Sequence, residues 1–199
     1  MEFYRISRDW WMKLKAPGWF VFLLNCGDGC DTMIKTTRGG NSKKRSQINV
    51  ALKELEAMVN EYKFALPPFC HFTPAEWQEK GHEYDEVREC MLGWDITDYG
   101  LGNFNKFGFS LITIRNGNRA MADKYPKVYA EKLLFLKEGQ YAPNHFHWYK
   151  TEDIINRGGG NILIRVYNSL PDEEIDYHPM SRSIPTAAPT PSLPAPRSA

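Results

Sequence analysis

The stretch from Gly139 to Gly159 holds the residues best suited to chemistry: His145, His147 and Glu152, with glycines at either end. Imidazole nitrogens and carboxylate oxygens together bind divalent transition-metal ions. Histidines at i and i+2 of a strand share one face, because strand side chains alternate with period two. If that face looks inward, both rings converge on one point. After four intervening residues Glu152 returns on the next strand to add an anionic oxygen. Gly139 and the run Gly158, Gly159, Gly160 suit tight hairpin turns. Two imidazoles and one carboxylate leave coordination positions open, as a catalytic metal site requires. The two histidines alone would be explained as well by chance; Glu152 and the glycines make a metal site the stronger explanation.

Such a site needs strands to carry it, and the sequence turns to strand character after Trp94. Phe107–Ile114, Glu131–Leu136, Asn144–Trp148 and Ile162–Tyr167 are short and rich in β-branched and aromatic residues, with Gly or Asn near the turns. Before them the pattern is helical. Ile48, Leu52, Leu55, Val59 and Tyr62 recur at intervals of four and three, which predicts an amphipathic helix over Ser46–Tyr62 with Ser46 as its N-cap. The LPPF segment at Leu66–Phe69 stops it, since proline cannot continue a helix. Thr73, Pro74 and Glu76 form a capping box with proline at the first helical position. A further short helix is expected near Tyr84–Met91. Helices followed by a run of strands predict a mainly β barrel with a helical cover.

The ends differ in character. Residues 1–43 are Trp-rich and close on the basic stretch RGGNSKKR, an extension whose role the sequence leaves open. Residues 178–199 are Pro, Ser, Ala and Thr with few large apolar side chains, so they are expected to be disordered.

Composition narrows the class. The 25 basic and 24 acidic residues nearly cancel, which argues against a nucleic-acid binder. No apolar run approaches the roughly 20 residues that cross a bilayer. Gly18–Cys26 has the length of a signal-peptide apolar region, yet no A-x-A-like site follows and Glu2 and Asp9 interrupt the basic lead. Cys26 and Cys30 find no second close pair for a zinc site. The expectation is a cytoplasmic protein with neither membrane nor nucleic acid as partner.

The pattern G-x5-H-x-H-x4-E-x6-G over Gly139–Gly159 resembles the first conserved motif of the cupin superfamily at every specified position. The likeness extends over residues 44–168, which resemble the D-lyxose isomerase family. It is carried by KRSQIN from Lys44, FALPPF from Phe64, Glu76-Trp77, GWDITDYG from Gly93, RNGN from Arg115 and YAEKLLFLKEGQ from Tyr129. The resemblance implies a cupin (jelly-roll-type) barrel over residues 44–177 that interconverts D-lyxose and D-xylulose, often also D-mannose and D-fructose. It implies manganese as the divalent metal, a pentose or hexose monosaccharide as substrate, and a homodimer. His145, His147 and Glu152 would hold the metal. Lys132 matches a family lysine on a pocket-lining strand and, with Glu152, is a catalytic candidate; a solvated strand lysine explains it equally well. Trp148 fits a core position better than a stacking floor for the sugar.

The sequence departs from the family after Asn168. The family's closing half carries a fourth ligand, a histidine in a G-x5-P-x-G-x2-H-type motif, and no such motif follows here. His178 stands at the head of the Pro-rich tail instead. The expectation is an incomplete barrel with open strand edges. Two functions therefore compete: the metal-dependent isomerase, and a cupin that binds sugar or metal without turnover.

Overall fold

A strand with one apolar face needs neighbours on both edges for its N–H and C=O groups and a second layer for its side chains. The strands of this chain meet both needs by forming two antiparallel sheets. The computed structural model describes residues 3–6, 10–15, 18–26, 44–145, 150–172, 174–178 and 184–185. In chain order the strands are β1 (Phe3–Ile6), β2 (Trp10–Lys15), β3 (Gly18–Cys26), β4 (Gly93–Thr97), β5 (Phe109–Arg115) and β6 (Ala130–Leu136). They continue with β7 (Tyr141–His145), β8 (Lys150–Gly158), β9 (Leu163–Ser169), β10 (Ile175–Asp176) and β11 (Ile184–Pro185). Between β3 and β4 lie the helices α1 (Arg45–Glu61), α2 (Pro74–Glu79) and α3 (Asp85–Glu89). The molecule is mainly β, which agrees with the cupin resemblance.

The six-stranded sheet runs β1-β8-β3-β6-β5-β4, and the second sheet runs β10-β9-β2-β7 with β11 also on β9. Leu111, Ala130, Leu134, Leu136 and Ile154 of the first sheet join Ala142 and Ile164 of the second in one buried cluster. The two sheets therefore face each other across a common core. Leu133, Ile112 and Ile155 point the other way and pack with Leu55, Met58 and Val59 of α1. Alternation along β6 thus serves two cores, one per face.

Several local expectations hold. The Thr73 box forms as predicted: the Glu76 N–H donates to Thr73 Oγ1 at 3.3 Å and the Thr73 N–H donates to Glu76 Oε2 at 2.7 Å. Others shift. The N-cap of α1 is Lys44, not Ser46, and the Lys44 N–H is met by Gln47 Oε1 at 2.9 Å. The buried face of α1 is Ala51, Leu55, Met58 and Val59, while Ile48 and Leu52 are half-buried and Tyr62 is exposed.

The N-terminal residues supply ladders to both sheets. β3 pairs with β6 on one side and β8 on the other, and β2 pairs with β9 and β7. In the C-terminal stretch expected to be disordered, Ile184 and Pro185 pair with Ile164 and Leu163 of β9. Most of residues 178–199 lie outside the described residues, as do the basic stretch 38–43 and the pair Cys26–Cys30 beyond Cys26 itself.

Candidate functional site

β7 reaches the site through a bulge. Met12 of β2 pairs with His145, but Leu14 pairs with Ala142, so three steps on β7 answer two on β2. An extra residue rotates the side chains that follow it. Ala142 and His145, three apart, would lie on opposite faces of a regular strand. Here both are buried. Pro143 sits within this irregular step, and β7 is the last strand of its sheet, the two settings where a strand tolerates a missing N–H.

The same bulge sets the tautomer of His145. Its Nδ1 lies 2.8 Å from the Pro143 carbonyl oxygen. A carbonyl can only accept, so Nδ1 carries the hydrogen, and in the neutral ring Nε2 carries the lone pair. A metal-ligating histidine is held in this way, one ring nitrogen donating to a carbonyl and the other turned to the ion.

Glu152 comes from the facing sheet. It stands on β8 between Ile6 of β1 and Leu24 of β3 and is only 5% exposed. Two residues on, and so on the same face, Ile154 belongs to the core between the sheets. The strands of His145 and Glu152 are consecutive in sequence but belong to different sheets.

Tyr99 stands beside His145 and within electrostatic reach of Glu152. Its ring centroid is 6.0 Å from that of His145, and it meets Phe109 edge-on at 5.8 Å. Burial pushes the Tyr99 phenol well above its ordinary range, and the charge of Glu152 pushes it further. Its hydroxyl therefore stays protonated. Sequence reasoning used GWDITDYG as a family phrase and gave Tyr99 no role; its signal is a large aromatic in a turn that demands a positive φ.

Lys132 is half-buried on β6 and shares its face with Ala130, Leu134 and Leu136, residues of the inter-sheet core. Phe22 of β3 pairs with both Lys132 and Ile154, and Leu24 pairs with both Ala130 and Glu152. One strand thus separates Lys132 from Glu152's strand, about 10 Å between backbones at two strand spacings. His147 and Trp148 lie outside the described residues. Among the described residues no three of His, Cys, Asp and Glu gather closely enough to hold a metal. His145 and Glu152 supply one nitrogen and one oxygen donor, a set that fits a divalent first-row cation. A separate cleft of about 750 Å³ lies on the outside, lined by Lys44, Gln47, Asn103 and Lys137 among others.

The family model described as D-lyxose isomerase matches residues 43–186, well over half of the 199. The chain belongs to the D-lyxose isomerase family. Two curated members of that family are similar to it. The D-lyxose/D-mannose isomerase of Escherichia coli O157:H7 is 43% identical over 132 residues, 66% of this chain and 58% of that protein. The D-lyxose/D-mannose isomerase of Serratia proteamaculans is 42% identical over 127 residues, 63% of this chain and 55% of that protein. The chain thus spans a little over half the length of these D-lyxose isomerase relatives. β4 to β11 and all three helices fall within the family match, whereas β1, β2 and β3 precede it.

Proposed function

We propose that this chain is a metal-dependent aldose–ketose isomerase acting on D-lyxose and D-xylulose, and on D-mannose and D-fructose by the same chemistry. The observation that carries this is a buried His145, its Nδ1 bound to the Pro143 carbonyl, on one sheet and a buried Glu152 on the facing core surface of the other. The names of its relatives support the substrate class.

In this reading His145, His147 and Glu152 would hold a manganese ion. The bound cation supplies Lewis-acid polarisation of adjacent sugar oxygens. The remaining work falls to the chain. Isomerisation removes a proton from C2 of the aldose and returns one to C1, while a hydroxyl proton passes from O2 to O1. No external oxidant or reductant is needed. Glu152 is placed to take part in that proton traffic, and Lys132, on the same interior face, balances negative charge on the enediol oxygens. The enzyme is proposed to act as a cytoplasmic homodimer.

The test is direct. Purified protein with manganese should interconvert D-lyxose and D-xylulose, chelation should abolish turnover, and His145→Ala should do the same. Turnover that survives chelation would overturn the metal reading. Manganese or sugar binding with no turnover would favour the second reading, a cupin that binds without catalysing.

A further inference from the structure

Tyr99 adopts φ 57°, in the left-handed region that a bulky side chain seldom enters. Such a conformation persists only where the surroundings enforce it. Here they do so from three sides. The Tyr99 N–H donates to Thr97 Oγ1 at 3.1 Å, and the Gly100 N–H donates to Asp98 Oδ1 at 3.0 Å. From outside, Gly108 presses on the turn so closely that a Cβ there would stand 1.7 Å from the Thr97 carbonyl oxygen.

Gly108 also ties this turn to the strand of His145. The Gly108 N–H donates to the Tyr141 carbonyl at 3.0 Å, and the Tyr141 N–H donates to the Lys106 carbonyl at 3.1 Å. Phe107 and Tyr141 form the matching bridge. The turn of Tyr99 is thereby registered against the first residue of β7, four residues before His145. Tyr99 then closes the loop by setting its ring against the His145 imidazole, with 37° between the two planes.

We propose that Tyr99 is a positioning residue of the candidate metal centre: its ring, held by the strained turn, fixes the plane of the His145 imidazole so that Nε2 stays aimed at the cation. The inference rests on the metal reading above. It gives the backbone strain a purpose that core filling does not, since a core tyrosine can be placed from an unstrained backbone. Restricting a ligand before it binds removes an ordering cost from binding.

The experiment titrates manganese into the full chain and follows free Mn(II) by electron paramagnetic resonance, for wild type, His145→Ala, Tyr99→Phe and Tyr99→Leu. His145→Ala should abolish binding at this site. Tyr99→Phe, which keeps the ring, should bind within about threefold of wild type. Tyr99→Leu should bind roughly 10–100-fold more weakly, the range seen when groups orienting a ligand are lost. The melting temperature without metal is recorded beside it, because mere core filling would lower that and leave affinity unchanged. Wild-type affinity in Tyr99→Leu, with loss in His145→Ala, overturns the proposal. Unchanged binding in His145→Ala overturns the metal reading and the role of Tyr99 with it. Should Tyr99→Leu fail to fold, wild-type protein with labelled tyrosine rings decides. Bound manganese should broaden the Tyr99 ring signals, assigned by their loss in Tyr99→Phe, and sharp signals at saturation overturn the proposal.

Discussion

A carboxylate buried to 5% exposure is held at a cost unless positive charge or hydrogen bonds answer it. A divalent cation would answer it most fully, and Glu152 is therefore the residue where the metal reading is most exposed to disproof. Glu152→Gln keeps the volume and removes the charge. Its manganese affinity is expected to fall by more than the ~10–100-fold typical of changes outside the ligand set. The metal-free melting temperature should rise or hold, since the amide fills the same space without a buried charge. Calorimetric titration checks the first expectation and thermal unfolding the second. Equal affinity in the variant would remove Glu152 from the ligands. His145 shows the same logic from the other partner: its tautomer is set by a backbone carbonyl two residues away, a local device that needs no distant group.

The elements around the site work through close backbone approach. Gly108 has φ 94° and no room for a Cβ, so two independent constraints call for glycine there. Gly108→Ala should destabilise the fold by at least about 2 kcal/mol, whereas the same exchange at a compatible backbone position would stabilise it slightly. It should also displace the Thr97–Gly100 turn, and with it Tyr99. Urea unfolding measures the first effect, and weakened manganese binding reports the second. A variant as stable as wild type would mean that the turn gives way without loss. Gln140 acts nearby in a similar way, its fully buried side chain accepting from the Lys137 N–H at 2.8 Å and donating to the Phe104 carbonyl. It binds the 104–108 segment to the turn that leads into β7.

At the scale of the whole molecule, the two sheets depend on strands that precede the family match. β3 alone joins β8 to β6, and β2 alone joins β9 to β7, in the described strand orders. Removing residues 1–26 would open one edge each of β6 and β9 and leave β7 and β8 without a strand partner, the condition that drives edge-to-edge association. The shortened chain is expected to form large assemblies or precipitate, and to lose the manganese site because β7 loses its sheet partner and β8 loses both of its own. Size-exclusion chromatography with light scattering checks the first part and metal titration the second. A monodisperse shortened chain with wild-type affinity would show that these ladders are dispensable to the site.

The sequence by itself determined whatever depends on neighbours a few residues away. The Thr73 capping box, the stop at Pro67 and Pro68, and strands close to β5 and β6 follow from local periodicity and backbone chemistry. So do the candidate ligands, because H-x-H and a glutamate between glycines form a short signal. Tertiary structure decided the rest. The shared face of His145 and His147 follows from period two and lies partly outside the described residues. The bulge around Pro143 that precedes His145 was not legible, because a bulge is defined only by the partner strand that lacks the extra residue. The buried face of α1 was set by the sheet residues it packs with, Ile112, Leu133 and Ile155, and includes Ala51 and Met58, which the periodic stripe left out. Tyr99 entered the site because a turn, Gly108 and β7 meet in space, though 42 residues separate Tyr99 from Tyr141 in the chain. The N-terminal strands found their places only as partners of β6, β7, β8 and β9. Pairing of this kind is non-local: a strand's sequence says that it will pair, and only the assembled sheet says with what.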